Sequence, residues 1–312
     1  MKLSWMTLSA ILLITPFPSP AQTDDLPDHT ALNIPAGGYG VSIGNSARHS
    51  GLRFNWSDRG IEEINGVNVT LWVPGEPLSG TINGVGFGLG VTGAREINGL
   101  SFGLGGVFGE HALNGLSIGG LAIITSGDAA GVTVSGFGVV ASGSLTGFNF
   151  GGVGCIAGGD MTGVSIGPLG LVGSGALTGV NLGGLALVAK ERMVGVNFAI
   201  LGLIAGGDIA GLNCTAGACQ TPGDVAGLTV AVFRTKSDRV TGVDLNVVTT
   251  DVRCSTGLVT GLYNHIYDRQ EGLSIGLLNR ATTLYGVQIG IVNIAENNPE
   301  GFRVLPFVNA HF

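Results

Sequence analysis

The chain repeats one pattern of apolar and polar residues, and a glycine marks the start of each repeat. The repeat is 16 residues long through the middle of the chain. A fixed period of about this length is typical of repeat architectures, in which each unit packs only against its neighbours. The spacing therefore predicts a stack of similar units. Its regular part recurs every 16 residues at Gly99, Gly115, Gly131, Gly147, Gly163, Gly179, Gly195, Gly211 and Gly227. The series continues at both ends with slightly different spacings: 18 residues from Gly66 to Gly84, 15 from Gly84 to Gly99 and 15 from Gly227 to Gly242.

The first half of each repeat alternates apolar and polar side chains. With the anchor glycine as position 1, positions 2 and 4 are apolar and position 3 is small and polar, as in Val180, Asn181 and Leu182. This alternation is typical of a half-buried β-strand. We expect positions 2 and 4 to face the interior, so that position 3 forms an exposed ladder for interaction with a partner. The ladder consists of Ser117, Thr133, Asn149, Ser165, Asn181, Asn197 and Asn213.

The second half of each repeat predicts a corner and a second short strand. Positions 5 and 6 are mostly glycine or another turn-tolerant residue, and positions 7 and 9 are apolar, as in Leu185 and Leu187. A corner at the glycine pair would turn both apolar sets inward. The pattern predicts an all-β fold, a β-solenoid of about 15 coils with a 16-residue repeat and two short strands per coil. Stacking at about 4.8 Å would give a rod of roughly 70 Å.

A transmembrane β-barrel is the alternative fold. The terminal Phe312 and strands of roughly ten residues suit such a barrel. However, the apolar residues at positions 7 and 9 would then line a polar lumen, and two kinds of turn would double the repeat period. The 4 tyrosines and 3 tryptophans are also few for two aromatic girdles. The solenoid is therefore the preferred prediction.

The two ends depart from the regular repeat. An apolar run from Met6 to Ile14, followed by Ser19-Pro20-Ala21, predicts a cleaved secretory signal. A retained anchor helix is the less favoured reading because the run is short for a bilayer. We expect a signal peptide at 1–21, a disordered segment at 22–35, an N-terminal cap with atypical repeats at 36–83, regular repeats at 84–242, and C-terminal atypical repeats with a cap at 243–312.

Composition narrows the classes of function. A net charge of −7 argues against nucleic-acid binding, which needs a basic face. No histidine is spaced from other residues as in a metal site or a catalytic triad. We therefore expect no catalytic residue, no cofactor and no metal. The five histidines are His29, His49, His111, His265 and His311.

The cysteines suggest one disulfide. Cys214 and Cys219 fall at positions 4 and 9 of one coil, where both would point inward from facing strands, so we predict a bond between them. The alternative is a pair of buried thiols that act as small apolar residues. Cys155 lies four coils away and is expected to be free and buried.

Four segments resemble a known family. They are INGVNVTLW at 64–72, GLSIGLLN at 272–279, GVQIGIVNIAENNPE at 286–300 and VLPFVN at 304–309. In these segments the chain resembles bacterial exported glycine-rich surface-repeat proteins, a family of hypothetical proteins and lipoproteins. The resemblance implies export and a repeat scaffold, and it brings no catalytic residues with it.

Together these features predict a non-enzymatic structural or adhesive scaffold, exported to the periplasm, outer membrane or cell surface of a bacterium. Its partner would be a cell surface, a glycan, a second copy of the chain or a membrane. The alternative function is an outer-membrane β-barrel pore. An enzyme with its site at a charged end is the least favoured reading.

Overall fold

The computed structural model describes residues 30–35 and 37–312, and the described chain contains strands and turns but no helix. The predicted signal peptide and most of the segment 22–35 lie outside the described residues. The N-terminal strands are β1 (Ala31–Ile34), β2 (Tyr39–Gly44), β3 (Arg48–Asn55), β4 (Glu63–Thr70), β5 (Thr81–Gly88), β6 (Val91–Gly103) and β7 (Gly106–Gly119).

In the central repeats a longer strand alternates with a short one, and in the C-terminal repeats the two merge. The central strands are β8 (Ala122–Thr125), β9 (Asp128–Ser135), β10 (Gly138–Ala141), β11 (Leu145–Gly151), β12 (Gly154–Ala157), β13 (Met161–Gly167), β14 (Gly170–Gly173), β15 (Leu177–Gly183), β16 (Ala186–Ala189), β17 (Met193–Ala199), β18 (Gly202–Ala205), β19 (Ile209–Thr215), β20 (Ala218–Gln220) and β21 (Asp224–Ala231). The C-terminal strands are β22 (Arg234–Asn246), β23 (Thr249–Thr260), β24 (Tyr263–Ile275), β25 (Leu278–Ala295) and β26 (Val304–His311).

Equivalent strands of successive repeats pair in parallel. Gly163 of β13 lies opposite Gly147 of β11 and Gly179 of β15, and the short strands pair in the same way, with Gly154 opposite Gly170. Two parallel ladders therefore run side by side along the rod, the first from β2 and the second from the start of β6. The predicted β-solenoid of about 15 turns is confirmed. Neighbours in the alternative barrel would have run antiparallel.

The anchor glycines form a column in which no other residue fits. Gly179 has φ +113°, and a Cβ added there would lie 2.1 Å from the carbonyl oxygen of Gly163 in the preceding coil. Only glycine adopts this conformation without strain and tolerates such a close approach. The column continues in register from Gly40 to Gly286. The repeat in the sequence is thus a direct consequence of how closely the coils stack.

The facing of the first strand is the reverse of the prediction. In β15, Leu177, Asn181 and Gly183 are buried, whereas Val180 and Leu182 are half-buried and face outward. Positions 15, 1, 3 and 5 therefore face inward, and positions 2 and 4 face outward. The predicted period of two was right, but a shift of one residue in its phase exchanges the two faces of a strand.

The second strand agrees with the prediction at one of its two apolar positions. Leu187 at position 9 is fully buried, as predicted, but Leu185 at position 7 lies on the corner and is 41% exposed. The inward residues of the second strand are those at positions 9 and 11, such as Leu187 and Ala189. The core is thus a narrow column of one or two aliphatic side chains per coil beside small and polar ones.

Antiparallel strands close both ends of the rod. At the N-terminal end, β1 pairs antiparallel with β2, and at the C-terminal end β26 pairs antiparallel with β25. The prediction of disorder is therefore wrong for residues 31–34, because they form β1. Backbone pairing with β2 holds this segment against the first coil.

Candidate interaction surface

The polar ladder that the sequence placed outside lies inside the solenoid, so the predicted interaction ladder is wrong. Asn181 Nδ2 donates to Asn197 Oδ1 at 2.9 Å, and Asn197 Nδ2 donates to Asn213 Oδ1 at the same distance. These amides join neighbouring coils and offer nothing to a partner. The members of the ladder are all 4% exposed or less: Ser117, Thr133, Asn149, Ser165, Asn181, Asn197 and Asn213.

The predicted disulfide is also wrong, because both cysteines are free. Cys214 at position 4 faces outward and is half-buried, whereas Cys219 at position 9 is fully buried. The two side chains leave the backbone on opposite sides. Burial raises the pKa of Cys219 and of Cys155 to about 12, which keeps both thiols protonated at neutral pH. Cys155 is free and buried, as predicted.

An apolar face covers the outside of the first ladder. We use this name for the outward side chains at positions 2 and 4, which are aliphatic or aromatic in nearly every coil. Because the interior takes only alternate residues, these side chains contact their equivalents in the adjacent coils, as the stacked rings of Phe87 and Phe102 do, and their outer sides are open to solvent. The most exposed members in the region from Gly99 to Asn246 are 37–47% exposed: Leu100, Phe102, Val132, Phe148, Val196, Phe198, Leu212, Leu228 and Leu245.

An apolar edge continues this face around the corner of the coil. We use this name for the residues at positions 6 and 7, where the chain turns from the first strand to the second. At its N-terminal end the rings of Trp56 and Trp72 stack with centroids 6.2 Å apart. The edge consists mainly of Trp56, Trp72, Leu89, Leu104, Leu121, Phe137, Leu169, Leu185, Leu201, Phe233, Val247, Leu262, Leu277 and Ile291, which are 41–66% exposed.

A second apolar face lies beyond the edge in the central coils only. Its residues occupy position 10 on the outside of the short strands, where Gln220 and then Lys236 end the apolar series. Three contiguous sides of the central coils are therefore apolar. The most exposed members of this second face are Ile124, Val140, Ile156, Val172 and Ile204.

In the central coils the charges lie at the opposite edge, which we call the polar edge, at the turn positions 12–14. There Asp128 Oδ1 accepts a hydrogen bond from the Ser144 backbone N–H, and Asp160 Oδ1 accepts one from the Ala176 N–H, each at 2.7 Å. These carboxylates tie each turn to the next coil. Every charged residue between 112 and 233 lies on this edge: Asp128, Asp160, Lys190, Glu191, Arg192, Asp208 and Asp224.

Two buried polar clusters replace the aliphatic core near the ends. In the N-terminal one, Arg53 is fully buried and pairs with Asp58, and it also donates to Asn68 Oδ1 and Asn45 Oδ1, both at 2.7 Å. In the C-terminal one, Asp244 is fully buried among hydroxyl and amide groups. Both clusters are internal, so they hold the coils together and face no solvent.

Within residues 30–35 and 37–312, no three His, Cys, Asp or Glu side chains are grouped closely enough to hold a metal ion. In the same residues, no helix has the length and apolar character needed to cross a bilayer. Comparison of the chain with family models, curated proteins and solved structures gives no match. The dominant feature of the described surface is the distribution of its apolar side chains.

Proposed function

We propose that this chain is an exported, non-enzymatic structural protein that acts by surface contact through its apolar face and apolar edge. The observation that carries the proposal is the continuous outward series of aliphatic and aromatic side chains along the rod. Solvent-exposed apolar residues scattered singly need no explanation, but a contiguous patch marks an interaction site.

The size of this surface supports a role in contact. About 15 turns at about 4.8 Å give a length of roughly 70 Å. From position 2 to position 7 the apolar strip is roughly 15 Å wide at about 3.3 Å per residue, so its area is on the order of 1,000 Å². The largest patch on a typical monomer is about 300–600 Å². A surface of this extent is costly to leave in water, and a partner that covers it gains that free energy.

Export is supported by the sequence alone. The apolar run from Met6 to Ile14 and the small residues at Ser19 and Ala21 fit a secretory signal. The place of action would then be the periplasm, the outer membrane or the cell surface. The inward Asn, Ser and Thr column has a separate role in this proposal, since it fixes the register of the coils.

The test compares two pairs of substitutions on the same two strands, β11 and β13. The face variant is Phe148→Asp with Val164→Asp at position 2. The control is Thr146→Asp with Thr162→Asp, two residues away on the same side of each strand. Partition of each protein between water and a condensed nonionic detergent phase is measured after circular dichroism has verified the β-fold.

The wild type and the control should enter the detergent phase, and the face variant should shift toward water by tenfold or more. Burial of one such side chain contributes about 1.5–3 kcal/mol, so the loss of two is easily detected. A wild type that remains monomeric in the aqueous phase would contradict the proposed function.

A further inference from the structure

We infer that the apolar surface is covered by lipid: the rod lies along a bilayer with its apolar edge inserted into one leaflet and its polar edge in water. This inference rests on the proposed function and names its partner. Four features of the coil lead to it: the number of apolar sides, the backbone hydrogen bonds at the corner, the depth of the apolar strip and the position of the charges.

The number of apolar sides favours lipid over a second copy of the chain. A second rod stacked on the apolar face would cover positions 2 and 4. It would leave the corner residues in water, including Leu121 and Leu169, which are 62% and 56% exposed. Ile156 on the second apolar face would also stay in water. Acyl chains are fluid and cover a face, an edge and an opposite face together.

The backbone N–H donors at the apolar edge are paired between coils, and pairing of buried polar groups is what a hydrocarbon environment requires. The Phe137 N–H donates to the Leu121 carbonyl at 2.8 Å, one coil away. In the same way the Leu169 N–H donates to Val153 and the Leu201 N–H donates to Leu185, each at 2.7 Å. Stacking thus supplies acceptors for these corner N–H groups from the neighbouring coil, whereas the carbonyls of Gly120 and Gly136 at position 6 accept no such bond from any residue that the structure describes.

The depth of the apolar strip matches one leaflet. Positions 2 to 5 of the strand and the corner at positions 6 and 7 together follow roughly 15 Å of chain, about half of the hydrocarbon thickness of about 30 Å. Position 16, on the polar side of the anchor glycine, carries Thr146, Thr162 and Thr178 in successive coils. With the edge inserted, these hydroxyls lie at the level of the lipid headgroups.

In the central coils the charges allow this orientation without desolvation. Every charged residue between 112 and 233 lies on the polar edge, including the Lys190, Glu191 and Arg192 turn. None of them enters hydrocarbon when the opposite edge is inserted. A charged side chain on the apolar edge would be expensive at that depth, because an ion loses its hydration there.

The experiment uses the full chain and phosphatidylcholine vesicles, with and without bromine on the acyl chains. The edge variant carries Leu121→Asp, Phe137→Asp and Leu169→Asp. The control carries Ser126→Asp, Ser142→Asp and Ser174→Asp, one on the exposed polar edge of each of the same three coils. Because both variants keep residues 1–21, that apolar segment cannot cause a difference between them.

The wild type and the control should float with the vesicles, and the edge variant should bind at least about a hundredfold more weakly. Brominated acyl chains should quench tryptophan fluorescence in the wild type, because Trp56 and Trp72 lie on the inserted edge. In a W56F/W72F variant that quenching should fall to the contribution of Trp5. Circular dichroism of each variant verifies that it is folded, and quenching in the wild type tests insertion even if the edge variant does not fold.

Four outcomes would overturn the lipid inference. A wild type that associates with itself in the absence of lipid and does not float would identify a second copy as the partner and leave the proposed function intact. Flotation of the wild type without tryptophan quenching would show that the apolar edge does not enter the bilayer. An equal loss of vesicle binding in the edge variant and in the control would show the same. A wild type that neither floats, self-associates nor enters detergent would refute the proposed function as well.

Discussion

At the scale of single residues, Asp244 stands out in the inward polar column because it carries an ionisable carboxyl group that is fully buried. Thr235 Oγ1 donates to its Oδ1 at 2.9 Å and Asn246 Nδ2 donates to its Oδ2 at 2.7 Å. These hydrogen bonds favour the carboxylate, but burial outweighs them and raises the pKa of Asp244 from 3.8 to about 6. Asp58, in contrast, is buried beside the guanidinium of Arg53. Asp244 relies on hydroxyl and amide donors alone.

The raised pKa of Asp244 predicts that the protein becomes less stable as the pH rises from about 4 to above 6. Below 3.8 the carboxyl is protonated in both the folded and unfolded states, and above 6 the folded state holds a buried anion. The difference between the two pKa values corresponds to about 3 kcal/mol at most. Asp244→Asn should therefore raise the free energy of unfolding at pH 7 by about 2 kcal/mol.

Urea unfolding at pH 4 and at pH 7 measures this effect. Asp160→Asn, on the exposed polar edge, is the control and should not raise stability at neutral pH. If Asp244→Asn gave no gain at pH 7, or the same gain at pH 4, the buried carboxylate would not be the cause of the pH dependence.

At the scale of the element, the side chains of each strand point alternately into the solenoid and out of it. Odd positions face inward and carry glycine, alanine, amides or a single aliphatic side chain, whereas even positions carry Val, Leu, Ile and Phe outward. In the second strand Leu187 is buried, and Leu185 at the corner is exposed. The strand thus resembles an ordinary half-buried strand in its period but has its larger apolar set on the outer side.

A single pair of substitutions tests this facing. Leu187→Asp should lower the free energy of unfolding by at least about 4 kcal/mol, because it places an unpaired charge in the core. Leu185→Asp, two residues away, should cost less than about 1 kcal/mol. Denaturant unfolding followed by circular dichroism measures both. Equal costs would show that both leucines face inward, as the sequence pattern had suggested.

The sequence was sufficient to predict the strands, the corner, the 16-residue coil and the approximate number of turns, because stacking imposes glycine at one position in every coil. The set of side chains that points inward in the first strand was not predicted correctly. An alternation of apolar and polar residues is compatible with a strand whichever of the two sets faces the core. The informative signal was residue size. Glycine at positions 1 and 5 and alanine at position 11, as in Ala189, share their parity with the buried Leu177 and Leu187. A thin coil has room inside only for such residues.

The same error of phase explains the two incorrect site predictions. Asn197 was expected on the surface and lies inside, and Cys214 was expected inside and faces outward. The apolar edge could not be recognised from periodicity alone, because its residues follow the glycine corner and resemble a continuation of the core.

At the scale of the whole molecule, the rod is a one-dimensional array in which each coil contacts only the two beside it. Gly147 pairs with Gly163, Gly163 with Gly179, and Gly179 with Gly195, always at the same offset. Stability in such arrays is approximately a sum over units and their interfaces. Length is therefore set by the number of repeats.

Deletion of whole repeats should preserve the fold. Removal of residues 163–194 joins Thr162 to Gly195 and takes out two coils, which should shorten the rod by about 10 Å. Removal of residues 163–186 takes out one and a half coils and should abolish folding, since Leu187 would replace an anchor glycine. Circular dichroism and the maximum dimension from small-angle X-ray scattering measure the two results. If both deletion variants folded, or if both failed to fold, the stacking would not depend on an anchor glycine at the same position of every coil.

The antiparallel strands β1 and β26 at the ends of the rod have a consequence for polymerisation. A stack of parallel coils could in principle grow without limit, since each terminal coil offers unpaired backbone groups to another chain. A second molecule arriving at either end meets a strand that runs against the direction every internal coil uses. The parallel stacking of coils therefore ends at β1 and β26, and we expect that end-to-end addition of another molecule in the same parallel register is disfavoured.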